Sequence, residues 1–194
     1  MAIATFVMFT VWAFVRSYMN RPPGDYETEV CDIRLKDKLY DEAMAAANKA
    51  LEKTPNHRGA IMCKALIYIS QKDYVNGTNE LNYLIKYLEL NLETDDLTGI
   101  GTLAAAYANR GIIKDRSKDY EGALADYVKA LGIDHESVAG PGLGTVILNY
   151  KYKSSSVKER ALYLNEQLQL PEAERVLSIK ELDEGQVMHK PGKL

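Results

Sequence analysis

The hydrophobic pattern changes character near residue 16. From Ala2 to Val15 (AIATFVMFTVWAFV) fourteen residues pass without a charge, and the apolar ones surround the helix circumference instead of forming a stripe. A helix that is hydrophobic all round is either buried or in lipid. At 1.5 Å per residue the uncharged run covers about 21 Å, and counting through Met19, with Arg16 snorkelling, brings it close to the thickness of a hydrocarbon core. The pattern predicts a transmembrane anchor over 1–20, defined by Phe6, Phe9, Trp12, Phe14 and Arg16. A cleaved signal peptide and a core helix are the competing readings; nothing basic precedes Ala2, and Val15-Arg16-Ser17-Tyr18 is a poor cleavage site. Arg16 and Arg21 follow the run and no Lys or Arg precedes it, which predicts a single-pass, N-out/C-in chain with a cytoplasmic body. Pro22-Pro23-Gly24 then breaks the helix.

Beyond the break the pattern repeats. Tyr40-Asp41-Glu42-Ala43 leads to Asn48-Lys49-Ala50-Leu51 and Pro55, Asp73-Tyr74 leads to Leu84-Ile85, and Asp119-Tyr120-Glu121-Gly122-Ala123 leads to Tyr127-Val128-Lys129-Ala130-Leu131. Tyr40 and Tyr74 are 34 residues apart, and Tyr74 and Tyr120 are 46 apart, which is the same period plus an insertion of 12. A period of this length means paired helices. Small residues (Cys31, Ala43, Ala50, Ala65, Gly111, Ala123, Ala130) belong where backbones nearly touch, and Tyr68, Tyr74, Tyr120 and Tyr127 in the gaps between neighbours. An unrelated helical bundle with alanine-rich faces would mimic the spacing.

On these motifs the chain resembles the tetratricopeptide repeat (TPR) family. Residues 24–57 are similar to a first repeat, 58–91 to a divergent second and 104–137 to a third, with 92–103 as an insertion. The resemblance implies an all-α, helix-turn-helix solenoid of about three repeats over 21–137, preceded by the anchor. It also implies a groove lined by the first helix of each repeat: Thr28, Glu29, Asp32 and Leu35, then Met62, Cys63, Leu66 and Ile69, then Ala108, Asn109, Ile112, Asp115 and Arg116. The family's carboxylate clamp is missing, because its positions hold Thr28, Asp32, Cys63, Ala105 and Asn109, so an Hsp70 or Hsp90 tail is not the implied ligand.

Glu93-Thr94-Asp95-Asp96 precedes an alanine-rich run and reads as an N-terminal cap for a helix over about 97–118, since no His or Cys lies near enough to complete a metal site. Gly140-Pro141-Gly142-Leu143-Gly144 lacks the Gly-Lys-Ser/Thr of a phosphate loop and reads as a turn before a degenerate helix over 144–152. Ser154-Ser155-Ser156 predicts a helix near 156–169, and Pro171 and Gly185 bracket another through Val176, Ile179 and Leu182. Residues 138–185 would then cap the array, and 186–194 form a tail or docking peptide.

Composition sharpens this division. All three Phe and the only Trp lie in the first fourteen residues, whereas twelve of thirteen Tyr lie beyond residue 25. The net charge of −3 gives no footprint for nucleic acid. Residues 25–134 alone hold 19 acidic and 14 basic groups, which favours a basic or apolar partner.

Catalysis finds no support: His57, His135 and His189 fall at two junctions and in the tail, beside no nucleophile or HExxH spacing. No metal or cofactor is implied. Cys31 and Cys63 read as reduced thiols, a bridge requiring Cα atoms within about 7 Å. The groove, acidic first and apolar in the middle, suits an amphipathic helix or extended segment with apolar anchors and a basic flank. The alternative is that the chain's own C-terminal helices, or a neighbouring subunit, fill its middle. The functional expectation is a non-catalytic, membrane-anchored adaptor that holds a protein partner at the membrane. The runner-up is a structural subunit of a membrane complex, its anchor packed on other spans.

Overall fold

A computed structural model describes residues 2–19, 21–134, 138, 156–179, 186, 188 and 189. These contain eight α-helices: α1 (Ala2–Met19), α2 (Asp25–Lys36), α3 (Tyr40–Lys53), α4 (Arg58–Ser70), α5 (Tyr74–Asn91), α6 (Leu97–Arg116), α7 (Tyr120–Ile133) and α8 (Val157–Leu168). The chain divides into two compact units, Met1–Cys63 and Lys64–Leu194, and the division falls inside α4.

Three helix-turn-helix pairs, α2/α3, α4/α5 and α6/α7, are joined by turns of the same construction. Two residues past the end of each first helix stands a lysine in the left-handed region, Lys38, Lys72 and Lys118, with φ of 60°, 62° and 66°. In each turn the lysine amide bonds the carbonyl three residues back (Leu35, Ile69, Asp115), and the next amide bonds the one five back (Arg34, Tyr68, Lys114). This double closure satisfies carbonyls that a helix end leaves orphaned. The following residues, Leu39, Asp73 and Asp119, share φ near −85° and ψ near 73° and start the second helix. The 34- and 46-residue spacings therefore correspond to one backbone geometry used three times.

In the first unit α2 packs on α3 through Cys31, Ala43, Ala47 and Ala50, all fully buried. In the second unit α6 lies against both α5 and α7, and α7 against α8. The Lys64–Glu80 pair (2.7 Å) links α4 to α5. Gly111 marks the closest approach of α6 to α7: a Cβ there would sit 2.6 Å from the Tyr127 ring. Gly132, near the end of α7, has open space around it. Replacing a helical glycine by alanine ordinarily stabilises by roughly 0.5–1 kcal/mol. Gly132→Ala should show that gain, whereas Gly111→Ala should cost about 1–3 kcal/mol through the displaced ring. Denaturant unfolding of the two variants reads the opposite signs; equal effects would contradict the packing.

Two expectations are corrected. No helix among the described residues is long and apolar enough to cross a membrane. Helix α1 ends at Met19 after 18 residues, about 27 Å, and its last turn carries Arg16, Ser17 and Tyr18. The transmembrane anchor assigned to Phe6, Phe9, Trp12, Phe14 and Arg16 therefore falls, and with it the single-pass N-out/C-in topology, the membrane as partner and the packing of an anchor against other spans. Phe6, Phe9 and Trp12 are exposed, Phe9 and Trp12 lie 5.7 Å apart, and the Arg16 guanidinium sits 5.0 Å over the Trp12 ring.

The second correction concerns the helix expected after Pro171. Among the described residues of this stretch only a 3-10 turn, Glu172–Glu174, forms, and 175–179 are not helical. Side chains of α8 occupy the backbone groups such a helix would need. Gln167 accepts from the Val176 amide (2.8 Å), Tyr163 donates to the Val176 carbonyl, and Arg160 donates to the Leu177 carbonyl (2.9 Å). Helix α8 itself starts with a full capping box between Ser156 and Glu159. Gly140 to Gly144, the degenerate helix over 144–152, His135, Leu182 and Gly185 lie outside the described residues, as does most of the tail.

Candidate functional site

Helix α6 organises the second unit. Asp96 caps it by accepting from the Gly99 amide at 2.8 Å, and 14 of its 20 residues are buried, so its polar side chains require partners. Arg110 donates Nε and Nη2 to the two oxygens of Asp126 (2.8 and 2.7 Å) and Nη1 to Asn82 (2.7 Å). Lys114 adds a 2.9 Å contact to the same carboxylate. Asp126 holds the Arg110 guanidinium above its ordinary value. Tyr107 donates to Glu89, and burial together with that carboxylate pushes its phenol up to about 12.

The opposite side of α6 meets the chain's own C-terminal segment. Asn109 is fully buried, and its carboxamide bonds both main-chain groups of one residue. Nδ2 donates to the His189 carbonyl at 2.7 Å, and Oδ1 accepts from the His189 amide at 2.8 Å. Such a pair holds the segment by its main chain. Two turns further along α6, Asp115 receives Arg160 Nη2 on Oδ1 (2.7 Å). Its Oδ2 receives Arg160 Nε (2.8 Å), Gln186 Nε2 (2.7 Å) and the Tyr127 hydroxyl (3.1 Å). The two side chains of the ion pair are only 1% and 3% exposed. Burial and the Asp115 charge hold the Tyr127 phenol well above its usual range.

The structure places the expected groove residues unevenly. Met62, Cys63, Leu66, Ile69, Ala108, Asn109 and Ile112 are each 2% exposed or less, and Asp115 is buried as well. The apolar middle is thus closed, and Asn109 and Asp115 on α6 are engaged by residues 160, 186 and 189. Leu35 is also buried; Thr28, Glu29, Asp32 and Arg116 are half-buried. Thr28 donates to the Gly24 carbonyl (2.9 Å), and Glu29 pairs with Arg21 (2.8 Å). Of the packing positions, Cys31, Ala43, Ala50, Ala65, Ala123, Ala130 and Tyr127 are at most 1% exposed. Tyr68, Tyr74 and Tyr120 are half-buried.

The reading of Cys31 and Cys63 as reduced thiols is corrected: they form a disulfide joining α2 to α4, with Cα atoms 6.5 Å apart. Their separation of 32 residues is close to one repeat, so successive first helices bring nearly equivalent positions side by side. That near-coincidence with the period was the available signal. Arg160 and Gln186, by contrast, carried none, since each lies far in sequence from Asp115. No group of three or more potential metal ligands occurs among the described residues.

No protein-family model matches the chain, and no curated protein matches it. The tetratricopeptide resemblance is therefore corrected to a statement about architecture. The chain is an all-α protein of helix-turn-helix pairs with a repeat-like construction, and membership of that family is not supported.

Docking of the C-terminal segment should depend on pH through His189. Burial pushes its imidazole down to about 4, from an ordinary 6.5. The released segment therefore binds more protons between these values, and docking strength falls as pH drops through that window. At pH 5 the loss should reach about 2 kcal/mol relative to neutral pH. Amide exchange of residues 186–189 should accelerate accordingly, and His189→Leu should abolish the dependence; unchanged protection from pH 7 to 5 would contradict the burial.

Proposed function

We propose that the chain is a non-catalytic protein-interaction scaffold whose peptide-reading face lies on α6 and is occupied by its own C-terminal segment. The observation that supports this reading most is the pair of hydrogen bonds from Asn109 to the main chain of His189. A buried carboxamide committed to a peptide backbone accepts any extended segment of suitable fit. Asp115 and Arg160 beside it form a buried ion pair. Release of the segment frees this face for a partner that competes with residues 186–189.

The test compares partner recovery by the full chain, by a chain ending at Ile179 and by the shortened chain carrying Asn109→Ala, with folding checked by circular dichroism. Shortening should raise recovery of a defined partner several-fold and Asn109→Ala should reverse the gain. Recovery indifferent to both changes would refute the reading.

A further inference from the structure

Granted that α6 is a peptide-holding face, on which this inference rests, we propose that the face selects an extended segment carrying a glutamine three residues before the residue held by Asn109. The chain's own segment meets α6 at two points. Asn109 holds both main-chain groups of His189 (2.7 and 2.8 Å), and Gln186 Nε2 reaches Asp115 Oδ2 and the Tyr127 hydroxyl (2.7 and 3.1 Å). Asn109 and Asp115 stand on the same helix, about 9 Å apart along its axis at 1.5 Å per residue. Three residues cover about 10 Å when extended and less than half of that when helical, so an extended segment running antiparallel to α6 matches both points.

The groups that face Gln186 fix the side chain they accept. Gln186 is buried. Tyr127 gives its single hydroxyl proton to Asp115 (3.1 Å), so toward Gln186 both the carboxylate and the hydroxyl are acceptors. A carboxamide nitrogen carries two protons and supplies one to each. Glutamate has the same shape but offers only acceptors, which sets oxygen against oxygen at contact distance; methionine has the length and no such donor; asparagine is one methylene short. A buried site built to hydrogen-bond one group rejects analogues that lack it. Arg160 binds Asp115 through two hydrogen bonds from α8, so the carboxylate does not depend on the segment for its position. The partner class is therefore an extended peptide segment with a glutamine at this spacing, and the chain's own residues 186–189 are its internal counterpart.

The test uses the full chain with Gln186→Glu and, separately, with Gln186→Ala, each checked for folding by circular dichroism. In both, exchange of the His189 amide should quicken about tenfold or more. Synthetic peptides spanning residues 183–194, with the natural sequence or with Gln186→Glu, Gln186→Asn or Gln186→Met, are then titrated into the full-length variant while the Asn109 side-chain amide signal is followed. The natural peptide should bind saturably, move that signal, and bind about tenfold or more tightly than each of the other three. A natural peptide that moves the Asn109 signal but binds no more tightly than the altered ones would overturn the glutamine requirement and leave the peptide-holding face standing. Failure of every peptide to reach Asn109 would overturn that reading and the selectivity with it. Unchanged His189 exchange in both variants would also overturn the requirement. Should Gln186→Glu unfold, Gln186→Ala supplies the chain for the titration.

Discussion

Asp115→Asn should destabilise the second unit by about 3–5 kcal/mol, because it leaves the buried Arg160 guanidinium without its counter-charge. The side chains are 3% and 1% exposed, so water offers little compensation. The same carboxylate also accepts from Tyr127 and Gln186, so the substitution disturbs a four-donor arrangement. Replacing both charges, as in Asp115→Leu/Arg160→Met, removes the buried-charge penalty, which often makes such exchanges neutral or better. Here the gain should be incomplete, since Tyr127 and Gln186 would keep donors without acceptors at about 1–3 kcal/mol each. Urea denaturation of the single and double variants measures both effects. A single-variant loss below about 1 kcal/mol would show that water reaches the pair.

Reduction of the Cys31–Cys63 bridge should cost the first unit a similar amount. Closing a loop of this length removes unfolded-state entropy worth about 3.5–4 kcal/mol. Both cysteines are fully buried, so the bridge should resist reductant until the unit opens. Denaturant unfolding with and without dithiothreitol should separate by that amount, and Cys31→Ala/Cys63→Ala should be insensitive to reductant. Equal curves for the natural chain would mean that the bridge is absent in solution. Such bridges persist in oxidising compartments, which runs against the cytoplasmic placement that Arg16 and Arg21 predicted.

Local signals were legible in the sequence and long-range ones were not. Asp96 before an alanine-rich run and the serines ending at Ser156 announce their helices because a cap depends on neighbours within one turn. The hairpin spacings were legible because each turn reuses one local geometry. Closure of the expected groove by the chain's own C-terminal part was foreseen only as the alternative reading, and the particular pairing was not legible, because Asn109 and His189 are 80 residues apart and nothing in either neighbourhood announces it. The segment after Pro171 failed for a related reason: side chains of α8 take its backbone bonds. The N-terminal run was over-read because its length is marginal for a bilayer, and the helix stops before the deficit is made up.

The most direct test of the scaffold reading is calorimetric titration of a peptide spanning residues 183–194 into a folded chain ending at Ile179. Recognition of the C-terminal segment by Asn109 predicts saturable one-to-one binding that is lost in Asn109→Ala and weakens from pH 7 to pH 5. A folded, shortened chain that shows no binding, or binds the peptide equally well without Asn109, would contradict it.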